Sequence, residues 1–417
     1  MPTANSNENN PHPTTMSKLE IETQTFGEEA LFPTRTVQIG SKTIETPAKA
    51  IPIEETRPHE QVAPETRGVN ELYKEVGGKK LRKERRGKAS PIGKPLRRGA
   101  NKAEDGEMTF AFLSYQESST LPEADAATMV KLLAEHSDVL VAPLLPEIAG
   151  SASSDSGLGD PAYGSYKESV LRFLEQANRV APDLPVMGTL PPLEWQFIDD
   201  LLNEYTTRGI RAYAANFDRT RITANRQVER VKPLVQYPVR RGIEESVLLY
   251  AINLHSGQRD DSLGARPAAD ITPFSMGFDI VGGNHISPSL PSKVFEEMES
   301  ENDSLVFHLL DKENYTYQDV PLDQLPARFP ADSTFDADHI VQRVRKSPKN
   351  AKYRLQRLVN AEQMAFAIDE LQDEIDEGSA FEHIASKAGV SNAVLSSLQD
   401  VRDGFDDERD QTGLSDF

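Results

Sequence analysis

The sequence predicts an α/β protein with a parallel sheet, and a (β/α)8 TIM-barrel-like fold with an N-terminal hairpin and C-terminal helices is favoured. From residue 108 onward, about six apolar runs alternate with segments of helical periodicity. Such alternation is typical of strands joined by crossover helices. The N-terminal region supplies the strands still needed for a barrel. No G-x-G-x-x-G follows the first run, which disfavours a dinucleotide fold, and a doubly wound open sheet is the alternative.

Each element is predicted from a local pattern. Phe32, Val37, Ile39 and Ile44 alternate around Gly40, which predicts a short hairpin. The predicted strands that follow are 110–115, 138–145, 185–190, 210–217, 247–253 and 274–281. The predicted helices are 124–136, 163–180, 195–208, 224–234, 351–378 and 380–399.

Composition divides the chain into four parts. Residues 1–30 are predicted to be a disordered tail, since the start is rich in Asn, Pro, Thr and Ser. Residues 31–345 form the predicted barrel, which carries a basic arm at 74–107. A helical segment follows at 346–402, and 403–417 is an acidic, frayed tail.

The overall charge and the residue usage exclude several classes of protein. The chain has 417 residues, a formal net charge of −20 and no cysteine. Disulfides and cysteine-based zinc sites are therefore excluded, and no metal or cofactor is expected. No apolar run is long enough to span a bilayer, and no signal core is present, so we expect a soluble, cytoplasmic protein with no membrane partner. The diffuse acidity is typical of halophile proteins.

One segment reverses this acidity. Residues 79–102 hold eleven Lys and Arg against a single acid, Glu84. Interspersed Gly and Pro predict a loop or arm and not one long helix. The cation density indicates a polyanion, and nucleic acid is favoured over a merely solvated loop. The candidate nucleic-acid-binding residues are Lys79, Lys80, Arg82, Lys83, Arg85, Arg86, Lys88, Arg97 and Arg98.

Candidate catalytic residues lie near predicted strand ends, where a barrel places its active face. They are Asp218, Asp279 and His285; Asp279 stands between Phe278 and Ile280, so burial is expected to raise its pKa. A buried structural carboxylate and ordinary loop histidines are the alternatives. The chain has no H-E-x-x-H, G-x-S-x-G or P-loop motif. The candidate substrate-binding residues are Tyr213, Asn216, His255, Gly282, Gly283 and Asn284.

Several segments, in order, resemble the tRNA-guanine transglycosylase family. Residues 44–52, I-E-T-P-A-K-A-I-P, are similar to the family's E-T-P-x-F-x-P-V opening. Residues 277–280, G-F-D-I, resemble the start of its G-V-D-M-F-D motif. Further similar segments are 137–141, 166–174, 186–188, 213–214 and 355–378, so the likeness covers about 330 residues.

The resemblance implies a (β/α)8 barrel that exchanges guanine in nucleic acid for a 7-deazaguanine base. In that family an aspartate attacks the ribose C1′ and a second aspartate handles the proton, and a related branch acts on DNA. This chain departs from the pattern at the site: Gly282 stands at the nucleophile's position, and Leu144 and Pro191 stand where base-recognising residues are expected. Glu362 falls where the family's zinc-binding histidine lies.

Three interpretations follow from these departures. The first is a divergent transglycosylase that uses other acids, acting in 7-deazaguanine modification of DNA or tRNA. The second is a catalytically inactive nucleic-acid-binding subunit that forms a homo- or hetero-oligomer with a transglycosylase-like partner. The third is an unrelated barrel enzyme with similarity at the level of the fold. We favour a transglycosylase-like role and expect nucleic acid and a 7-deazaguanine base as partners.

Overall fold

The computed structural model describes residues 19–87, 90–286 and 306–415. The fold is mixed α/β, and its elements follow the predicted alternation closely. The strands are β1 (Leu19–Thr25), β2 (Thr34–Ile39), β3 (Lys42–Thr46), β4 (Ala48–Lys49), β5 (Val69–Val76), β6 (Met108–Tyr115), β7 (Leu140–Val141), β8 (Val186–Leu190), β9 (Ala212–Asn216), β10 (Leu248–Ile252), β11 (Arg266–Pro267), β12 (Ile280–Val281), β13 (Val306–Asp311) and β14 (Thr316–Pro321).

The helices connect these strands and extend beyond them. They are α1 (Gly78–Arg85), α2 (Gly93–Ala100), α3 (Glu123–His136), α4 (Pro146–Ala149), α5 (Pro161–Val180), α6 (Trp195–Thr207), α7 (Asn225–Arg240), α8 (Leu325–Arg328), α9 (Ala337–Lys346), α10 (Pro348–Glu377), α11 (Ala380–Ser386) and α12 (Asn392–Ser415). Gly378 ends α10 with a positive φ of 76°, a backbone conformation that glycine adopts without steric cost. The predicted acidic tail from 403 is helical as far as Ser415, because α12 packs along α7.

A six-stranded parallel sheet organises the fold, with the strand order β4-β12-β10-β9-β8-β7. Strands β5 and β6 form a separate parallel pair. Isolated parallel bridges join this pair to the sheet at both sides: Ile51 pairs with Asn70, and Phe110 and Ser114 pair with Val139 and Leu144. The parallel sheet predicted from the alternation of strands and helices is therefore present.

One face of these strands is apolar. Successive strands contribute alternate side chains, as the period of two along a strand requires. They form one buried cluster that includes Ala50, Val69, Met108, Phe110, Phe112, Val139, Val141, Met187, Ala212, Ala214, Leu248, Tyr250, Ile252 and Ile280. The opposite faces of the same strands pack against the helices.

An antiparallel sheet of β1, β2 and β3 covers this cluster at its amino end, where Val37, Ile39 and Ile44 join it. The predicted hairpin is the β2–β3 pair. Strand β1 lies within residues 1–30, which were predicted to be a disordered tail. It is ordered because it pairs with β2 over nearly its whole length. Residues 1–18 lie outside the described residues.

The basic arm is folded. Residues 78–85 and 93–100 form α1 and α2, the crossover between β5 and β6. Leu81, Ile92 and Leu96 are buried against the body of the protein, and this packing stabilises the two short helices. The segment is thus a basic surface on the fold and not a loose loop.

A small antiparallel sheet, with the order β11-β14-β13, lies beside the long helix α10. Strand β13 contacts α10, and Asn360 of that helix donates to the backbone oxygen of His308 at 2.9 Å. This sheet was not predicted from the sequence. Residues 287–305, at the end of the predicted barrel region, lie outside the described residues.

Candidate functional site

A buried carboxylate, Glu71, lies at the centre of a polar cluster near the carboxyl ends of the parallel strands. It belongs to β5, and its side chain is inaccessible to solvent. Its Oε1 accepts from the Gly283 amide at 2.8 Å and lies 2.5 Å from His285 Nε2. Its Oε2 accepts from the hydroxyl of Tyr250. The strands β5, β10 and β12 thus bring together residues far apart in the sequence.

Aromatic stacking and backbone hydrogen bonds fix the position of His285. Its ring stacks on Tyr73, with centroids 4.2 Å apart and planes 2° from parallel. Its amide donates to Asn253 Oδ1 at 3.0 Å, and the Asn253 side chain donates to Asn216 Oδ1 at 3.0 Å. The imidazole is therefore held against the Glu71 carboxylate by Tyr73 of β5 and by the asparagines at the ends of β9 and β10.

Lys49 supplies a partly buried cation to the same cluster. Its Nζ donates to the backbone oxygens of Gly282 at 2.6 Å and Val281 at 3.1 Å. Burial lowers the pKa of Lys49, and the charges of Glu71 and Asp270 oppose that shift. The charge of Lys49 thus interacts with the charges of both Glu71 and Asp270.

The pKa of Glu71 reflects competing effects. Burial raises it, but the charge and hydrogen bond of His285, the charge of Lys49 and the hydroxyl of Tyr250 together hold it below the ordinary glutamate value. Burial and the adjacent Glu71 charge raise the pKa of Tyr250. Glu71 is therefore an ionised carboxylate in a nearly dry environment, the state required of a nucleophile or a base.

A cavity of about 250 Å³ opens beside this cluster. The strand ends form one wall, with Lys49 and the segment Gly282–His285. The small sheet and α10 form the other wall, with Arg266, Asp270, His308, Tyr317, Gln356, Arg357 and Asn360 among the lining residues. Polar groups converging on a cavity at this end of a parallel sheet are typical of a ligand site.

Two lining residues of the second wall are held by specific contacts. His308 Nδ1 lies 2.5 Å from Asp319 Oδ1, and the His308 amide donates to Gln356 Oε1 at 3.0 Å. Asp270 accepts at Oδ2 from the hydroxyl of Tyr317 at 2.8 Å. Burial raises the pKa of Asp270, whereas Tyr317 and Lys49 favour its ionised form.

Among the predicted site residues, the structure brings several together. Gly282, Gly283, Asn284 and His285 line the cavity. Asn216 lies just behind them, in the hydrogen-bond chain through Asn253.

Asp279 lies at the other end of the strands. It precedes β12, pairs with Arg35 of β2 through Oδ1, and accepts at Oδ2 from the Leu249 amide at 2.6 Å. Burial raises the pKa of Asp279, in the direction that its flanking apolar residues suggested, and Arg35 opposes the shift. One carboxylate oxygen is used in this buried ion pair and the other in the hydrogen bond from the Leu249 amide, so Asp279 is separated from the cavity.

The remaining predicted residues occupy other places. Asp218 is exposed in the turn after β9, with its amide bonded to Asn216 Oδ1 at 3.1 Å. Tyr213 faces the helices, and its hydroxyl donates to the Ile210 oxygen at 2.8 Å. His255 Nδ1 accepts from the Gly257 amide at 2.9 Å, and burial together with nearby arginines lowers its pKa.

The basic surface of α1 and α2 is accessible. Of the predicted nucleic-acid-binding residues, those described are all exposed: Lys79, Lys80, Arg82, Lys83, Arg85, Arg86, Arg97 and Arg98. Arg85 pairs with Asp125, and Lys80 donates to the Glu75 oxygen at 3.0 Å. Lys88 lies outside the described residues. Most of these cations thus face solvent on one crossover.

Sequence reasoning missed the central residues Glu71, Tyr250, Lys49 and Asp270. No strand was predicted between the hairpin and residue 110, so β5 and Glu71 were not identified. Lys49 was noted only within the family-like opening segment. The one available signal was the E-T-P-A-K-A-I-P run itself, which places a lysine next to strand-forming residues.

Glu362 occupies a buried junction and not a metal site. Its Oε1 accepts from the Ala63 amide at 2.8 Å and from Thr334 Oγ1 at 2.5 Å, and its Oε2 accepts from Ser333. Within the described ranges, no group of three or more His, Asp or Glu side chains is placed to hold a metal ion. Hydrogen bonds to one carboxylate thus connect α10 to two loops.

Comparisons with known proteins add no family to these observations. No family model matches the chain, and no curated protein matches it. Among the helices of the described residues, none combines the length and the apolar character needed to cross a bilayer.

Proposed function

We propose that this chain is a divergent, transglycosylase-like barrel that exchanges guanine for a 7-deazaguanine base in DNA or tRNA. The observation that carries the proposal is the position of the Glu71 carboxylate against Gly282. By the resemblance, position 282 is where the family places its nucleophilic aspartate. A methyl group built on Gly282 would overlap Glu71 Oε2 and lie 2.7 Å from Tyr250 Cε1. A carboxylate from β5 therefore fills the volume that a side chain at 282 would take.

The proposal includes closure of the strands into an eight-stranded barrel. Hydrogen bonds on both sides of the β5–β6 pair support it. The Ile51 amide donates to the Val69 oxygen at 2.8 Å, and the Leu144 amide donates to the Leu113 oxygen at 3.0 Å. With these links, β4, β5, β6, β7, β8, β9, β10 and β12 follow one another in a circuit of parallel neighbours, and the cavity lies at the carboxyl ends, where such barrels carry their sites.

In this proposal Glu71 acts as the nucleophile. A carboxylate oxygen attacks the sugar C1′ while the bond from C1′ to the ring nitrogen of guanine breaks, and the departing base takes up a proton. The incoming 7-deazaguanine then gives up a proton from its ring nitrogen, attacks C1′ and releases the carboxylate. His285, 2.5 Å from Glu71, is the proposed proton carrier.

The exposed cations of α1 and α2 are the proposed contact with the nucleic-acid backbone. Their charge opposes the acidic remainder of the chain and suits phosphate neutralisation. We expect Lys79→Gln, Lys80→Gln and Lys83→Gln together to weaken binding and to reduce the slope of log affinity against log salt by up to about 0.9 per lost contact. The exposed Lys131 of α3, changed to Gln, is the control. An unchanged salt slope in the triple variant would remove α1 from the interface.

A base-exchange assay in molar salt tests the function. Purified protein is incubated with host tRNA or DNA and labelled guanine or 7-deazaguanine, and incorporation is measured. Glu71→Gln is expected to reduce the rate on the order of 10⁶-fold, as loss of a nucleophile does. Glu75→Gln makes the same chemical change at an exposed position of the same strand and is expected to leave the rate unchanged. Incorporation by Glu71→Gln at the wild-type rate would refute the proposal.

A double variant relocates the carboxylate. In Glu71→Ala combined with Gly282→Asp, an acid returns to the position that the family uses and the overlapping side chain is removed. We expect this double variant to recover part of the exchange lost in Glu71→Ala alone.

A non-catalytic, nucleic-acid-binding subunit is the second candidate. One observation favours it: Tyr250, Gly283 and His285 occupy both oxygens of Glu71, so a donor must move away before the carboxylate can attack. Salt-sensitive binding without any incorporation by wild-type protein would support this candidate.

A further inference from the structure

The wall of the cavity formed by the small sheet carries a second histidine–carboxylate pair, His308 and Asp319. The two residues lie directly opposite each other in the pairing of β13 with β14. His308 Nδ1 is 2.5 Å from Asp319 Oδ1. His308 is the member of the pair that lines the cavity.

The other ring nitrogen of His308 is accessible. Its Nε2 has no hydrogen-bond partner among the described residues, and it does not belong to their buried, unpartnered side-chain atoms. The His308 side chain keeps 19% of its surface exposed. A ligand in the cavity can therefore reach Nε2 while Nδ1 stays bonded to Asp319.

Hydrogen bonds hold the pair in one arrangement. The His308 amide donates to Gln356 Oε1 at 3.0 Å, and its backbone oxygen accepts from Asn360 at 2.9 Å. Asp319 Oδ2 accepts from Arg259 at 2.6 Å. A carboxylate bonded to Nδ1 keeps the ring proton on that nitrogen, which leaves Nε2 as the acceptor.

The surroundings of the ring favour its neutral form. Burial, Arg266 of β11 and Lys352 of α10 lower the pKa of His308, and Asp319 of β14 opposes the shift. Nε2 is therefore unprotonated at neutral pH. A neutral imidazole oriented by a carboxylate is the arrangement of a general base.

The proposed exchange needs such a group. A departing guanine can take up its proton at N7. A 7-deazaguanine has a carbon at that position, so the incoming base must instead lose the proton of N9, the nitrogen that attacks C1′. The Nε2 of His285 is already bonded to Glu71, so a second proton acceptor is needed for this transfer.

We infer that His308, positioned by Asp319, is the general base that accepts the N9 proton of the incoming 7-deazaguanine. This inference rests on the proposed function of the same cavity. The proton passes to Nε2, and the electron pair of the broken N9–H bond forms the bond to C1′. The bond from C1′ to Glu71 breaks, and its electron pair returns to the carboxylate. The imidazolium, stabilised by Asp319, then releases the proton to water.

The exchange assay with two incoming bases tests this role. Labelled guanine can attack from its N7-protonated tautomer, whereas labelled 7-deazaguanine depends on His308. We expect His308→Gln to slow 7-deazaguanine incorporation about 10²- to 10⁴-fold and guanine incorporation less than about tenfold. His339→Gln removes a histidine that contacts Glu60 outside the cavity, and both rates should stay unchanged. Equal rates for the two bases in His308→Gln, relative to wild type, would overturn the inference.

Asp319→Asn tests the positioning residue. An amide can donate to Nδ1 of His308 and so favour the tautomer protonated at Nε2, which cannot accept a proton. We therefore expect the same selective loss of 7-deazaguanine incorporation. A merely structural role of Asp319 would slow the incorporation of both bases alike, and that result would refute the assignment.

Nitrogen-15 NMR of the full chain with labelled histidine provides a test that needs no catalysis. The spectrum of His308→Gln identifies the His308 signals. At neutral pH we expect an unprotonated Nε2 whose signal shifts on addition of 7-deazaguanine. A protonated Nε2, or a signal that the base leaves unchanged, would contradict the inference. A shifted Nε2 signal in a wild-type protein without exchange activity would sustain the contact of His308 with the base and refute only the proposed reaction.

Discussion

The overlap between Glu71 and a side chain added at position 282 can be tested by measuring the free energy of unfolding. In Gly282→Ala, the added methyl group has nowhere to go, because Glu71 Oε2 and the Tyr250 ring already fill the space. Overpacking of a buried site costs typically about 1–3 kcal/mol of unfolding free energy. In a Glu71→Ala background the overlap with Oε2 is removed while the close approach to the Tyr250 ring remains. The cost of the methyl group is therefore expected to fall by on the order of 1 kcal/mol, which is the coupling between the two sites.

The four proteins of this cycle are compared by urea unfolding in stabilising sulfate, which keeps the Glu71→Ala background folded. Fluorescence of Trp195, the single tryptophan, is followed together with far-UV circular dichroism so that coincidence of the two transitions establishes two-state behaviour. Gly164→Ala is the control: its added Cβ meets nothing within 4 Å, and in the exposed face of α5 it is expected to be neutral or slightly stabilising. If the changes in unfolding free energy caused by Glu71→Ala and Gly282→Ala add to within about 0.5 kcal/mol, the proposed overlap between the two positions is refuted.

Three further predictions concern metal independence and pH. Glu362→Ala is expected to lower the unfolding free energy by on the order of 2–4 kcal/mol, since it leaves buried hydrogen-bond donors without an acceptor. A chelator is expected to leave the Tm of the wild type unchanged. Thermal melts measure both effects. The pKa of Asp369 is raised to about 6 by partial burial and by the acidic neighbours Asp373, Glu65 and Glu370. The free energy of unfolding is therefore expected to increase as pH falls from about 6 toward the ordinary aspartate pKa. The Asp369→Asn variant should lack this increase. The lowered pKa of Glu71 has the opposite effect on stability. The stabilisation is present above the ordinary glutamate pKa and is lost as pH falls through the lowered pKa. In urea titrations, Glu71→Gln should not show this loss of unfolding free energy at low pH.

The sequence predicted the parallel strands well where they are buried on both faces. The runs at 110–115, 185–190, 210–217 and 247–253 contain most or all of β6, β8, β9 and β10, because continuous apolar composition leaves few alternatives to a buried strand. The run at 274–281 was less informative. Only Ile280–Val281 is a strand, and this shifts Asp279 from the end of a strand to its beginning. Because Asp279 lies at the amino end of β12 and not at its carboxyl end, it is separated from the cavity.

The site itself was only partly predictable, and β5 shows why. Its sequence, V-N-E-L-Y-K-E-V, is half polar, because Glu71 and Tyr73 contact His285 in the polar cluster while Lys74 forms an ion pair with Glu54. The functional side chains thereby obscured the pattern that would have identified the strand. The basic segment was missed for another reason. Its glycines predicted a loop, whereas burial of residues such as Leu81 against the rest of the protein stabilises α1 and α2 as helices.

The residues that line the cavity come from distant parts of the chain, which has a consequence for biosynthesis. A ribosome releases Lys49 and Glu71 early, whereas His285 and the lining residues of α10 emerge hundreds of residues later. Until α10 docks, the buried apolar face that it shares with Ile51 and Val62 stays open to water. The nascent chain must therefore keep a charged, incomplete pocket and an uncovered apolar surface through most of its synthesis, a period in which association with chaperones would protect it.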